Sequence, residues 1–395
     1  MYDFDEIIPR KNTDSLKYDF AAERGKPEDV LSFWVADMDF KAPPAVINAL
    51  TERAQHGIFG YTSGKDGYYG AVVNWFARRF HYLIRREWIA VTPGVVFGLS
   101  TAIRGLTQKG DAVLIQKPVY YPFSGTVLTN ERKLINNPLV LKNGRYEMDL
   151  EDFERKIVEL KVKLFFLCNP HNPVGRVWTR EELTAMGKIC VRYGVTVVSD
   201  EIHADFIYPG HKHTVFADIC DAFSEITLTC TAPSKTFNLA GLQLSNIIIK
   251  NEVLRRGYLN EFRRTGYSQP NTMGVVATQA AYEHGEPWLE ELLAYLAQNI
   301  ARTTEFLHKN APRLKVIQPE GTYLLWVDCR DLGLSTAALE DLIIHKAGLW
   351  LDGGTMFGDE GAGFQRINVA CPWAVLEKGL HRLADAVREI NQANP

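Results

Sequence analysis

The sequence predicts an α/β protein with a large domain on a mainly parallel sheet and a smaller α+β domain after it. Three observations carry this. The 395-residue chain is too long for one small core, so two domains are the natural division. Between about residues 88 and 250, short apolar runs alternate with amphipathic helical stretches, the pattern of a parallel sheet covered on both faces. After about residue 287, strands and helices follow without that regular alternation.

Residues 1–42 are polar and irregular and close on Phe33-Trp-Val-Ala-Asp-Met-Asp-Phe40, whose dense aromatics and acids predict packing against the body or a partner. Pro43-Pro44 opens a helix with Val46, Ile47, Leu50 and Ala54 on one face, proline suiting a first helical turn. Gly57-Ile-Phe-Gly-Tyr-Thr-Ser-Gly-Lys65 is no nucleotide loop: three residues, not four, separate Gly60 from Gly64, and Asp66 stands where Ser or Thr is required. Strands are expected at 88–92, 112–116, 163–168, 195–199, 226–230 and 245–249, with helices at 150–160 and 180–193 among those between them. Leu289, Leu292, Leu293, Leu296 and Ile300 mark a long helix over 286–309. Strand-like pieces at 315–317, 323–327 and 365–369, a helix near 336–347 and a last helix carrying Leu376, Leu380, Leu383, Val387 and Ile390 complete the chain. The expected division is an N-terminal segment joining the small domain (1–42), a large domain (43–286) and a small domain (287–395).

Composition narrows the function. Apolar residues at 46% and charged ones at 23% are ordinary for a globular enzyme, and a net charge of −3 points to neither nucleic acid nor an anionic membrane. The six cysteines are scattered without metal-ligand spacing and read as thiols of a reducing compartment. The acidic start lacks a signal sequence and no apolar run reaches the roughly 18 residues of a membrane span, so a cytoplasmic protein is expected. His211-Lys-His213 after a Pro-Gly turn reads as an exposed loop, and no metal is expected.

In an open parallel sheet, ligands bind beyond the carboxyl ends of the strands. There the sequence places Thr92-Pro-Gly-Val-Val-Phe97, a turn into a helix whose free N–H groups suit a phosphate. It also places Tyr120, Asn172 within Asn169-Pro-His-Asn-Pro-Val-Gly175, Asp200 with His203, and Lys235 within Thr231-Ala-Pro-Ser-Lys-Thr-Phe-Asn-Leu-Ala-Gly241. Each has an ordinary reading: Gly94 a βα turn, Tyr120 core, Asn172 a turn former, Asp200 a helix cap, His203 a structural histidine, Lys235 a surface charge. Together they supply what pyridoxal phosphate needs: a Schiff-base lysine, an acid for the pyridinium nitrogen and a held phosphate. No G-x-G-x-x-G follows any strand, which disfavours a dinucleotide.

Asn-Pro-x-Asn-Pro-x-Gly, then Ser-Asp-Glu with its Asp 28 residues after Asn172, then Ser-Lys with its Lys 35 further on, resembles the aminotransferase-like superfamily of fold-type I pyridoxal phosphate enzymes, over essentially the whole chain. Trp34-Val-Ala-Asp-Met-Asp-Phe40, Cys168 to Trp178, Thr236-Phe-Asn-Leu-Ala-Gly-Leu242, Met356-Phe-Gly and Arg366-Ile-Asn-Val-Ala-Cys-Pro372 resemble its cystathionine β-lyase/cysteine-S-conjugate β-lyase branch. The resemblance implies an aspartate aminotransferase-like fold. It implies that Lys235 carries the cofactor, Asp200 pairs with the ring nitrogen, Tyr120 stacks on the ring and Asn172 bonds its hydroxylate, with His203 nearby. The Val95 and Val96 amides, Thr231 and Ser234 would hold the phosphate, with Tyr61 reaching the phosphate of the neighbouring subunit in an obligate homodimer. Arg366 would grip the substrate α-carboxylate, with Trp34, Tyr61, Tyr323 and Thr355 shaping the pocket. Two positions depart from many relatives: Gln243 stands where a phosphate-binding arginine is usual and Ala232 where a serine is. The glutamine suits the lyase branch.

The implied reaction is β-elimination, with Lys235 as general base and the C–S bond of L-cystathionine or another S-conjugate breaking to a thiol, pyruvate and ammonia. Lys235 and Tyr61 are candidates for protonating the leaving sulfur. One alternative is an aminotransferase on the same scaffold, which needs an oxo-acid acceptor. Another is an added regulatory role, since some members of this branch bind transcriptional activators.

Overall fold

The computed structural model describes residues 2–393. Its large sheet has seven strands: β1 (Ile89–Thr92), β2 (Ala112–Ile115), β3 (Lys133–Asn136), β4 (Val162–Cys168), β5 (Thr196–Asp200), β6 (Thr227–Thr231) and β7 (Ser245–Ile248). They lie in the order β1-β7-β6-β5-β4-β2-β3. Neighbours from β6 to β3 are parallel, and β7 alone runs antiparallel to both its neighbours. All six strands expected in this region are present. The seventh, β3, was not expected: Lys133-Leu-Ile-Asn136 is a polar edge strand that offers no apolar run. The hairpin of Val140–Lys142 and Arg145–Glu147 was also not expected.

Both faces of this sheet are covered, which is why its strands are apolar without interruption. Leu114, Phe165, Leu167 and Val197 enter one buried cluster. Their chain neighbours Val113, Ile115, Leu164, Phe166 and Val198 enter the other, the two-residue alternation of a strand.

The C-terminal part carries a four-stranded antiparallel sheet of β8 (Lys315–Ile317), β9 (Leu324–Asp328), β10 (Asp352–Gly353) and β11 (Phe364–Asn368), in the order β8-β9-β11-β10. Register sets Asp352 opposite Arg366. The helix expected near 336–347 is α-helical over Thr336–Asp341 and continues as a π-helix over Leu342–Lys346.

The N-terminal segment is bound to this part: Leu31–Ser32 pairs in parallel with Leu349–Trp350. Its aromatics are buried, with Phe33, Trp34, Met38 and Phe40 all under a tenth exposed. Its acids are matched by cations. Arg10 bonds Asp37 at 2.6 Å and Asp39 at 2.7 Å, and the buried Lys17 reaches Asp39 at 2.8 Å. This neutralisation offsets the cost of burying Asp39. On helix Pro44–His56 only Val46 is fully buried, while Ile47 and Ala54 of the expected apolar face are exposed. Among the described residues, no helix is long and apolar enough to cross a membrane.

Candidate active site

A cavity of about 390 Å³ opens at the carboxyl ends of the parallel strands. Residues at or just beyond the ends of β1 (Gly94, Val95, Val96), β2 (Tyr120), β4 (Asn172), β5 (Asp200, His203) and β6 (Ser234, Lys235) line it, and Ala36 adds to it from the N-terminal segment. Eight of the residues singled out in the sequence thus share one space, Val95, Val96, Tyr120, Asn172, Asp200, His203, Ser234 and Lys235.

Lys235 sits on a single helical turn, Pro233–Thr236, directly after β6. Its Nζ donates to the Ala36 carbonyl at 2.7 Å. Burial of the amine lowers its pKa to about 8, with Arg366 acting in the same direction and the carboxylates of Asp37 and Asp200 opposing. A neutral amine is therefore accessible near neutral pH, as a nucleophile or base requires. The Ala36 carbonyl also accepts from the Tyr323 hydroxyl at 2.9 Å, so one backbone oxygen positions both side chains. Asn238 holds the strip alongside, bonding the Met38 N–H and the carbonyls of Met38 and Phe40, each at 2.9 Å.

Asp200 ends β5 and is 3% exposed. Burial pushes its carboxyl up to about 7; the Ile202 N–H and Lys235 favour the ionised form, and the neighbouring Glu201 opposes it. A cationic ring nitrogen beside it would supply the missing charge partner. Burial, aided by Lys235 and Arg366, lowers His203 to about 3, so its imidazole is neutral at physiological pH. Its ring meets Tyr323 edge-on at 5.9 Å.

At the other end of the cavity, helix Val95–Leu106 begins at Gly94 with no side-chain cap. Its first amides, including those of Val95 and Val96, are left for an anion. Gly94 has φ 146° and ψ 157°, a conformation essentially confined to glycine.

Arg366 comes from β11 and is 3% exposed. Nη1 donates to Asn172 Oδ1 at 2.9 Å, and Nη2 to the Trp34 carbonyl at 2.8 Å and to Asp352. Its Nε has no partner among the described residues. The guanidinium is fixed on one side and retains donor capacity for a carboxylate.

Arg366 reaches the cavity through Asn172 without lining it, Thr355 does not line it, and four further expected residues are placed differently. Trp34 contributes its carbonyl to this site, but its ring stacks on Trp350 at 4.5 Å and 11° and lines a separate cavity. Tyr323 is fully buried and does not line the main cavity, because its hydroxyl is spent on Ala36. Thr231 does not line it either: it is buried at the end of β6, where its side chain meets the Tyr282 hydroxyl. Tyr61 lies on an exposed loop, 98% accessible and outside its own chain's cavity. The sequence reading missed Asp352, whose pairing with Arg366 depends on strand register. His213, expected on an exposed loop with His211, is instead buried and paired with Glu201, Nε2 and Oε2 lying 2.8 Å apart.

The donor set fits pyridoxal phosphate: a buried amine of lowered pKa, a buried carboxyl that makes no ion pair among the described residues, and uncapped helix amides beside Ser234 and Gln243. The comparisons agree. The chain is 45% identical to cystathionine beta-lyase PatB of Bacillus subtilis over 97% of its length and 99% of the relative's. Cystalysin from Treponema denticola, whose crystal structure contains a pyridoxal 5′-phosphate cofactor, superposes with a TM-score of 0.95 at 39% identity, covering 98% of this chain and 99% of that one. A pyridoxal phosphate-bound C–S lyase from Staphylococcus hominis gives a TM-score of 0.91 at 36% identity, covering 98% of each chain. Residues 28–383 match the profile of aminotransferase class I and II. With this fold, cofactor site and extent of likeness, the chain belongs to the class I and II aminotransferase family of pyridoxal phosphate-dependent enzymes.

Proposed function

We propose that the protein is a carbon–sulfur lyase that cleaves L-cystathionine and related cysteine S-conjugates to a thiol, pyruvate and ammonia. The observation that carries this is one cavity holding the Lys235 amine and the Asp200 carboxyl, whose lining residue Asn172 accepts a hydrogen bond from Arg366 just outside it. Likeness to the cystathionine β-lyase and C–S lyases supports the choice of reaction. Gln243 on the cavity wall, where many aminotransferases have arginine, favours the same choice.

Bound pyridoxal phosphate supplies the electron sink that makes the substrate Cα–H acidic. Asp200 would keep the ring nitrogen protonated by charge pairing, and the Val95 and Val96 amides with Ser234 would hold the phosphate. Asn172 and Tyr120 would orient the ring. Arg366 binds the α-carboxylate through donors that Asp352, Trp34 and Asn172 leave free. The Lys235 amine takes the Cα proton. The released electron pair forms the Cα–Cβ double bond, and the Cβ–S bond breaks with its electrons on sulfur. The thiolate takes up a proton, from Lys235 or Tyr61. The three-carbon enamine then hydrolyses to pyruvate and ammonia.

The working assembly in this proposal is a homodimer. Ile58, Phe59 and Tyr61 are 66%, 61% and 98% exposed on one loop, and Ile47 on the preceding helix is 41% exposed. Such an apolar surface suits a second copy, whose site would receive Tyr61. The domains divide at about residues 42 and 286, and the enzyme works in the cytoplasm. Homocysteine as product would place it in methionine biosynthesis.

The test is to supply the pyridoxal phosphate-loaded protein with L-cystathionine and no oxo-acid. Equal yields of pyruvate and free thiol are expected. Product that forms only when an oxo-acid is added would replace the lyase by an aminotransferase.

A further inference from the structure

Behind Arg366 lies a second cavity, of about 220 Å³. Its floor includes the stacked Trp34 and Trp350 rings, and Met356, Ile343 and Ile344 add apolar wall. Arg24 lies over the Trp34 ring at 5.0 Å, and Lys26 is half-buried on the same wall. Among the described residues neither cation makes an ion pair or side-chain hydrogen bond. Glu340, on the same wall, likewise has no cationic partner. Ile343 and Ile344 belong to the π-helical turn Leu342–Lys346, a rare geometry that recurs at functional sites.

We propose that this cavity binds a free α-amino acid with an apolar side chain. The two cations complement its carboxylate, Glu340 its ammonium group, and the indoles its side chain. Two unpaired cations and one unpaired carboxylate around an aromatic floor match a zwitterion better than a simple anion.

No residue lines both cavities, and Arg366 links them, bonded to Asn172 of the main cavity and to Asp352 and Trp34 of this one. Asp352 lines it and holds Arg366, and Trp34 gives it a ring while its carbonyl holds the same guanidinium. A ligand against Trp34 therefore acts on the groups that fix Arg366, and its effect falls on substrate affinity. This regulatory consequence rests on Arg366 being the substrate carboxylate site; the binding itself does not.

The test uses holoenzyme reduced with borohydride, in which Lys235 no longer exchanges with a ligand amine. Titration with L-methionine, followed by tryptophan fluorescence, should give a saturable change. Both 4-(methylthio)butanoate, which lacks the ammonium group, and 3-(methylthio)propylamine, which lacks the carboxylate, should bind at least about ten-fold more weakly. Arg24→Gln and Lys26→Met should each weaken L-methionine binding by about ten-fold while leaving unliganded turnover of S-methyl-L-cysteine unchanged. No saturable change, equal binding of the butanoate, or full binding in both variants would overturn the proposal. Because the binding test needs no turnover, its failure is separate from a failure of the lyase assignment.

Discussion

Asp352 holds Arg366 from the adjacent strand, and the two side chains form an ion pair that is 3% exposed on each side. The strand register sets them opposite one another, so the guanidinium orientation is built into the sheet. Burial raises the Asp352 pKa even against the pull of Arg366. Asp352→Asn keeps the shape and loses the charge. It should raise KM for L-cystathionine about ten-fold with a smaller change in kcat, as expected when a binding group loses its orientation. Steady-state kinetics at saturating cofactor would check this.

The titration of Asp200 and Lys235 sets a pH signature in the cofactor-free protein. Folding raises Asp200 from 3.8 to about 7, so the folded chain holds the extra proton and this group's stabilising contribution falls as pH rises through that window. Folding lowers Lys235 from 10.5 to about 8, so its contribution rises with pH between those values. Asp200→Asn should flatten the first slope and stabilise the cofactor-free protein at about pH 8 by on the order of 1–3 kcal/mol. The same substitution should cut pyruvate formation by about 100-fold or more. Urea midpoints at about pH 5 and pH 8 separate the stability effect from the catalytic one.

Gly94→Ala tests the phosphate end of the cavity. An added Cβ would meet nothing within 4 Å, so any cost comes from forcing alanine to φ 146°. The cost should be about 1–3 kcal/mol and displace the Val95 and Val96 amides. Pyridoxal phosphate affinity, measured by fluorescence titration, should fall about ten-fold or more.

The exposed Tyr61 gives a test of shared sites. Lys235→Ala and Tyr61→Ala homodimers should each be nearly inactive. Mixing and reassociating them should restore about a quarter of native activity, because half the dimers are mixed and each mixed dimer has one intact site. No recovery, with mixed dimers demonstrated, would show that Tyr61 does not serve a neighbouring subunit.

The buried Glu201–His213 pair is a stability element beside Asp200. Glu201 also accepts from the Ser199 hydroxyl at 2.7 Å and from the Phe216 N–H at 3.1 Å. His213→Phe leaves the carboxylate without its imidazole and should destabilise by about 3–5 kcal/mol. Adding Glu201→Gln should recover part of that loss, since a neutral amide tolerates burial better. Denaturant unfolding of the single and double variants would measure the coupling.

The sequence alone carried the fold class, six of the seven strands in the large sheet, and eight residues of the main cavity. Those features are local: an apolar run identifies a buried strand, and the residue that follows lies at its carboxyl end. Lys235, Asp200 and Asn172 could therefore be placed at one sheet edge before their distances were known. The polar edge strand Lys133–Asn136 has no such local signal and is recruited by its neighbour. The partnership of Asp352 with Arg366 depends on register, that of Glu201 with His213 on how a distant loop packs, and the course of the Trp34 ring on Trp350. These contacts join residues far apart in the chain, and only tertiary packing decides which side chains meet and which way each one faces.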